Sequence, residues 1–556
     1  MEILSSAEMG AADRRTWEHF GVPLAKLMEN AGRAVAEFCL RQIPAAETVL
    51  VLCGKGNNGG DGFVAARVLA EAGLNAAVLL LGREDEVKGE AAGALSRLRA
   101  EAPAVTITCI LDKAALAAAS EAIASADLLI DAVLGTGFKP PLRGLPATLR
   151  EHIARSSAPV VAVDLPSGWD ADSTAQNMPD AFRADAVVTF TRPKLAHVFG
   201  HLTRATFGPV IVAEIGSPEE AIVSDGNLSW GGTAKSIAEQ PRDVNSNKGM
   251  YGHVLVVGGS YGTAGAPAMA SLAALRAGAG LVTAAVPKSI LEMVAAFAPE
   301  LMLAPLKEGT GNREQRTDKR SDADDAVSLE ALPTLRELIQ SKRISVVALG
   351  PGLSTKGEAP EFVRRFVADC SLPMVIDADA LNAFAGQANL LDGTGRTLVL
   401  TPHPGEMARL AGLSIAEVEA DRIGLACRFA TEHKLILVLK GWRTLIAHPD
   451  GRVAVNTSGN PALAKGGSGD ILTGIIAALL AQFPNDAARA VEAAVVLHGL
   501  AADCCVTGNG GDAHAMDEHS VLATDTLAYL SDAFRYRAKD ADGLTWICGM
   551  NDVENI

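Results

Sequence analysis

Two hydrophobic patterns alternate along this chain. Short runs of aliphatic residues close on glycine-rich or acidic turns, and between them apolar residues recur at helical spacing. Leu24, Leu27, Met28, Ala31, Val35 and Phe38 fall on one helical face, with Pro23 near the start. TVLVLC (48–53) predicts a buried strand that feeds the loop GKGNNGGDG (54–62), then a helix turning Phe63, Ala66 and Ala70 inward and stopping at Gly73. ADLLIDAVLGTGFKPPLRG (126–144) predicts a strand ending at Asp131 before a polar loop that holds Lys139. PVVAVDLPSGWD (159–170) predicts one ending at Asp164 with Ser167 in the turn, and ADAVVTFTRPK and GPVIVAEIG add two more. This alternation predicts a doubly wound parallel sheet, with a ligand beyond the carboxyl ends of its strands. Asn58, Asp131, Asp164 and Ser167 all fall at such ends.

From about Ser217 to Lys248 the periodicity fades into a polar, turn-rich stretch that predicts a domain junction. Residues 252–287 read as strand, Gly-rich loop, helix with Pro267 in its first turn, a stop at Gly278, and strand. Residues 307–325 are charged and aperiodic, the pattern of a solvated, disordered surface loop. ISVVALGPGL, PMVIDADALN, TLVLTPHPGEMARLAG and ILVLKGWRTLIA then supply strands of a second α/β domain, and the apolar run from Ile471 to Leu480 predicts a buried helix.

Length, 556 residues, allows two to four domains. Aromatics make up only 4% although 49% of residues are hydrophobic, which suits closely packed helix-on-sheet layers. The formal charge of −16 argues against a non-specific nucleic-acid binder. No secretory leader or long apolar span stands out, and the eight cysteines follow neither zinc spacing nor a disulfide framework. A cytoplasmic protein with no membrane or nucleic-acid partner is expected, acting on small molecules as a homo-oligomer.

The candidate chemistry lies in three places. The loop at 54–62 contains the dinucleotide pattern G-x-G-x-x-G between strand and helix, and it lacks the Gly-Lys-Ser/Thr of a phosphate-binding Walker loop. The oxygens of Asn57, Asn58 and Asp61 equally suit a hydrated or phosphorylated ligand with a hard cation, and a ligand-free turn is the plain alternative. In KGGSGDILTG (465–474), Gly466, Gly467 and Gly469 free backbone N–H groups to face an anion at a helix N-terminus. Asp470 beside them is either a base for a hydroxyl receiving a phosphoryl group or a simple N-cap. His403, between two prolines, is a loop histidine or a ligand contact, and Lys440, Arg443 and Thr444 form a basic turn that could face nucleotide phosphates.

Taken together, GKGNNGGDG, DAVLGTGF and DLPSGWD resemble the NAD(P)H-hydrate epimerase family over residues 1–218. The resemblance implies interconversion of the R and S hydrates NADHX and NADPHX. It implies a potassium ion on Asn58, Asp131 and Ser167, with the ligand lined by Asn57, Asn58, Gly59, Gly60 and Asp61. Gly135, Thr136, Gly137, Phe138, Lys139, Pro140 and Pro141 would complete that lining, with Asp164 as acid–base group assisted by Lys139. GGSYGTAGA, GPGL, DADALN, TPHPGE, KGWRT and GGSGD, in that order, resemble the ADP/ATP-dependent NAD(P)H-hydrate dehydratases of the ribokinase-like superfamily, over about 230–535. Ala266, Gly352, His403 and catalytic Asp470 would then face the hydrate, and Lys440, Gly441, Trp442, Arg443, Thr444 and Gly469 the adenine nucleotide. ADP with magnesium is the expected phosphoryl donor, from the fused arrangement and not from any one residue.

The expected organisation is therefore an epimerase domain (1–218), a linker (219–248), a dehydratase domain (249–538) and a tail (539–556) with no assigned role. The expected folds are two doubly wound α/β/α domains, Rossmann-like and ribokinase-like. A small-molecule kinase fused to a dinucleotide-binding domain, or an N-terminal half that only binds a partner, are the alternatives.

Overall fold

A computed structural model describes residues 1–309, 326–508 and 515–551. The chain forms two compact units, Met1–Gly226 together with the residues from Arg537 on, and Asn227–Tyr536. The charged stretch 310–325 lies outside the described residues.

In the first unit the predicted strands form as β1 (Thr48–Cys53), β2 (Asn75–Leu80), β3 (Thr106–Cys109), β4 (Leu128–Ala132), β5 (Val160–Val163), β6 (Ala186–Phe190) and β7 (Val210–Ala213). They lie in the order β7-β6-β5-β4-β1-β2-β3, all parallel. Both faces are covered. Phe38, Phe63, Leu69 and Leu98 pack on one, and Leu116, Leu149, Ile153 and Phe182 on the other. Strand order reverses between β1 and β4, so their carboxyl ends flank the crevice where such sheets bind ligands.

The second unit holds β8 (Leu228–Trp230), β9 (His253–Val257), β10 (Leu281–Pro287), β11 (Met302–Leu306), β12 (Val346–Leu349), β13 (Met374–Ile376), β14 (Leu398–Leu400), β15 (Ile436–Leu439), β16 (Leu445–Ala447) and β17 (Val453–Val455). Their order is β11-β10-β9-β12-β13-β14-β15-β16-β17-β8, antiparallel only at β15-β16 and β16-β17. The turns after β9 and β12 flank its switch point. The apolar run at 471–480 is buried in helix Ser468–Gln482. That helix lies so close to helix Gly265–Arg276 that a Cβ on Gly474 would fall 2.1 Å from the Ala270 carbonyl oxygen. Helix Ala487–Thr507 is long and apolar enough to cross a membrane by length and composition, but 89% of its apolar window is buried inside the protein.

Two expected boundaries are corrected. Residues 219–248 are not a free linker, because β8 pairs with β17 and the Trp230 indole donates to Thr457 Oγ1 at 2.8 Å. Three residues are too few for alternation to stand out among turn formers. The tail is not an appendage, because Thr545–Cys548 forms β18, antiparallel to β7 at the edge of the first sheet. Trp546 and Ile547 are buried there, Trp546 packs on Phe38, and Asp540 accepts from the Trp546 indole and pairs with Arg41.

Removing residues 537–556 is therefore expected to destabilise the first unit. Two fully packed apolar side chains at about 1.5–3 kcal/mol each, plus the exposed β7 edge, amount to roughly 4 kcal/mol or more. Calorimetry should show one transition lowered by several degrees and the other unmoved. Two unchanged transitions would mean that β18 contributes nothing.

Candidate functional site

In the first unit, β1 runs into Gly54 and helix Asn57–Glu71 with no room for side chains. A Cβ on Gly59 would lie 2.0 Å from the Gly54 carbonyl oxygen, and one on Gly54 2.1 Å from that of Val133. The glycines thus press the helix N-terminus onto the ends of β1 and β4. Around that end opens a cavity of about 1170 Å³, lined by Asn57, Asn58, Asp61, Gly135 to Lys139 and Asp164. Its size is ample for a dinucleotide, since small-ligand pockets span roughly 300–1,000 Å³. Pro140 and Pro141 are not among the lining residues; the chain returns to the cavity at Arg143.

Asp131 and Ser167 meet below the loop. The Ser167 hydroxyl donates to Asp131 Oδ1 at 2.6 Å and its backbone N–H to Oδ2 at 2.7 Å. Burial pushes the Asp131 carboxyl up to about 6, against the pull of these hydrogen bonds. No cationic side chain pairs with it among the described residues. Asn58 packs against Gly135, and its Nδ2 is buried without a hydrogen-bond partner.

Asp164 follows β5 in the left-handed region at φ 64°, an uncommon conformation for a residue with a side chain. Its Oδ1 accepts from Lys194 Nζ at 2.9 Å and Thr189 Oγ1 at 2.8 Å. Its carbonyl oxygen accepts from His197 Nε2 at 2.6 Å, while His197 Nδ1 accepts from the Lys194 backbone N–H. These contacts fix His197 as the neutral Nε2–H tautomer, and burial lowers it to about 4. Burial raises Asp164, but Lys194 and the hydrogen bonds overcome it and hold the carboxyl below its ordinary value. Asp61 and Asp13 go the other way. Burial, then the charges of Asp164 and Asp13, drives Asp61 well up, and burial raises Asp13, whose Oδ1 has no hydrogen-bond partner among the described residues.

Lys139 stands at the rim instead, mostly exposed and bound to Asp170 and Asp172 at 2.8 Å each. The ammonium on Asp164 belongs to Lys194.

In the second unit, the N-cap of helix Ser468–Gln482 is Gly467 at φ 96°, packed against Met269. Asp470 is in the first turn and is not the cap. Beneath it, at the end of β13, lies buried Asp377, which accepts from Lys440 Nζ at 3.0 Å and Thr473 Oγ1 at 2.8 Å. A Cβ on Gly469 would sit 3.3 Å from that Nζ. Lys440 also lies 3.9 Å from Glu406, so its ammonium is held between two carboxylates. Burial first, then Asp377, Asp379 and Glu406, raise Asp470 to about 7, with Lys440 opposing. The helix terminus alone would favour an ionised Asp470; several carboxylates sharing one lysine outweigh it.

His403 caps helix Pro404–Ala411, its Nδ1 accepting from the Gly405 N–H at 3.0 Å, so Nε2 carries the proton on an exposed ring. Ser260 and Thr263 clasp the Gly352 carbonyl, which holds the turn before Ala266 against the turn after β12. In the 440–444 turn, Arg443 stacks on Trp442 with its guanidinium carbon 4.3 Å from the ring centroid and donates to the Thr457 carbonyl. The Thr444 hydroxyl donates to the Gly441 carbonyl at 3.3 Å.

Both units thus gather carboxylates at the carboxyl edge of a sheet, one group in a large cavity and one under a glycine-rich helix N-terminus. That arrangement marks an α/β enzyme with a candidate active site in each unit. Residues 254–523 match the NAD(P)H-hydrate dehydratase family, and residues 24–196 match the family described as YjeF-related protein N-terminus. The bifunctional NAD(P)H-hydrate repair enzyme Nnr of Moorella thermoacetica is 39% identical over 95% of this chain and 96% of its own. That of Escherichia coli is 34% identical over 93% and 91%. A Bacillus subtilis structure described as an ADP/ATP-dependent NAD(P)H-hydrate dehydratase, co-crystallised with ATP and magnesium, is 28% identical over 54% of this chain and 96% of its own, with a TM-score of 0.42. The chain belongs to the bifunctional NAD(P)H-hydrate repair enzymes, which join an epimerase to a dehydratase.

Proposed function

We propose that the first unit equilibrates the R and S hydrates of NADH and NADPH through Asp164, and that the second converts the S hydrate to NAD(P)H at the expense of ADP through Asp470. The observation that carries this division is the pairing of each site with one kind of apparatus. The first has a large cavity and an ionised carboxylate, while the second has backbone N–H groups at a helix terminus around a carboxylate.

Water is a poor leaving group. Transfer of the terminal phosphoryl of ADP to the hydrate's hydroxyl makes phosphate the leaving group and releases AMP; loss of phosphate and a ring proton then restores the dihydronicotinamide. Asp470 accepts the hydroxyl proton as the phosphoryl group arrives, and the Gly469 and Asp470 N–H groups stabilise its charge. The adenine nucleotide lies on the Lys440–Thr444 turn, and the hydrate contacts Ala266, Gly352 and His403 Nε2.

Two cations fit the residues present. Asp131 is a buried carboxylate with no cationic side chain paired with it among the described residues, and its oxygens, the Ser167 hydroxyl and the amide oxygen of Asn58 form an all-oxygen set, so Asn58, Asp131 and Ser167 suit a weakly held monovalent ion such as potassium. It would supply charge balance for the ligand loop. Asp377, Asp379 and Glu406 together carry negative charge beyond what Lys440 balances, which suits magnesium arriving with the nucleotide, because that ion takes one or two carboxylates plus phosphate oxygens. Magnesium would neutralise the transferring phosphoryl group.

A mixture of R and S NADH hydrate with ADP and magnesium tests the reading through recovery of near-ultraviolet absorbance. The S fraction should recover first and the R fraction in a second phase that slows severalfold when sodium replaces potassium. No recovery, with phosphorylation of a vitamin-like alcohol instead, would favour the kinase alternative.

A further inference from the structure

Lys194 is a lysine with nowhere to go. Its side chain is 2% exposed, at the N-terminus of the short helix Leu195–Phe199, and its ammonium carries three hydrogen bonds. They run to Asp164 Oδ1 at 2.9 Å, to Thr189 Oγ1 at 2.8 Å and to the Phe190 carbonyl at 3.4 Å. An ammonium has three donors, so none is left for a ligand. Burying such a charge costs several kcal/mol unless its partners compensate, so an apolar side chain would serve mere packing better.

The geometry around Asp164 shows what the lysine does. Thr189 and Lys194 both bond Oδ1, so both constraints act on one oxygen. Oδ2 has no protein partner among the described residues, and Asp164 lines the cavity. Backbone contacts hold the residue from both sides, its N–H on the Val188 carbonyl at 2.8 Å and its carbonyl under His197 at 2.6 Å, which keeps it at φ 64°. The carboxylate is therefore clamped by one oxygen and presents the other. Lys194 is also the cation common to the group, since Asp13 and Asp61 feel its charge as well as that of Asp164. Carboxylates sharing one cation in a dry site cannot all ionise. The one in direct contact with the ammonium is the one that stays charged.

We propose that Lys194 is a positioning residue of the epimerase: by holding Asp164 Oδ1 it keeps that carboxylate ionised and turns Oδ2 toward the hydrate as the oxygen that takes the proton. The lysine itself gives and takes none. This rests on the assignment of epimerisation to the first unit.

The test follows R-to-S conversion in the full-length protein carrying Lys194→Met, Lys194→Ala or Lys194→Arg. Lys194→Met is expected to lower kcat by about a hundredfold or more, the scale of a lost electrostatic contact to a reacting group, with KM within about threefold. Ethylammonium added to Lys194→Ala should restore part of kcat in a saturable manner, and Lys194→Arg should retain more kcat than Lys194→Met. A strut whose loss only loosens the fold would lower the melting temperature without rescue by a soluble amine. Unchanged kcat in Lys194→Met, a change confined to KM, or no response of Lys194→Ala to the amine would overturn the proposal. Wild-type protein without R-to-S conversion would overturn the epimerase reading and this inference with it, so the wild-type rate is measured first.

Discussion

Asp164→Asn is expected to lose R-to-S conversion by at least two orders of magnitude while leaving the turnover of S hydrate unchanged. The substitution is well matched to its site. Asparagine tolerates the left-handed backbone better than most residues, so φ 64° adds little strain. Its amide oxygen can still accept from Lys194 and Thr189. What disappears is the carboxylate's capacity to take a proton, worth about 10²–10⁴ in rate for a positioned group. Because the Lys194 ammonium and the hydrogen bonds hold the Asp164 carboxyl below its ordinary value, wild-type activity should show no loss from protonation of Asp164 near neutrality. Epimerisation near the wild-type rate in the variant would remove Asp164 from the chemistry and leave it a structural anchor for Lys194.

What the sequence made legible here follows from one rule, that polar residues at strand ends gather at one edge of a parallel sheet. The rule finds Asp131, Asp164 and Ser167, and the structure brings Asp131 and Ser167 into direct contact. Applied evenly, it would also have singled out Asp377, which ends PMVID and lies under Asp470. Lys194 and His197 escape it. They stand past β6 in TRPKLAHVF, a turn with no glycine cluster to mark it, and their role comes from a backbone that folds back onto Asp164. Asp13 is out of reach for a different reason, since it sits on the first helix, Ser6–Glu18, far upstream of every loop it faces. The return of β18 to β7 pairs residues more than three hundred positions apart, and no local pattern encodes such a partner. Lys139 shows the converse, a basic residue in a suggestive loop whose nearest acids, Asp170 and Asp172, hold it at the rim.

Asp470→Asn is expected to cut turnover of the S hydrate by about a hundredfold or more, with nucleotide affinity within a few-fold of wild type. Affinity survives because the N–H groups of the helix terminus and the Lys440–Thr444 turn do not depend on the Asp470 charge. The pH dependence gives a second, independent reading. A base must be deprotonated to act, and burial with the nearby carboxylates sets the Asp470 pKa to about 7 in the free protein. Dehydratase kcat/KM, which reports the free enzyme, should therefore rise as pH increases through about 7 and level off above it. Magnesium-nucleotide neutralises the surrounding carboxylates, so the same rise in kcat should lie at lower pH. Stability carries the opposite sign. A carboxyl whose pKa is raised from 3.8 to about 7 on folding binds more protons in the native state, so its contribution is complete below 3.8 and is lost as pH rises to about 7. Asp470→Asn should remove that slope, and above pH 7 the variant should unfold at higher denaturant concentration than wild type. If affinity collapses while turnover at saturating ADP survives, Asp470 is a contact for the magnesium-nucleotide and not the base. If instead turnover falls with no change in the stability slope, the titrating carboxyl is another of the cluster, and Glu406, raised by burial beside Lys440, is the one to replace next.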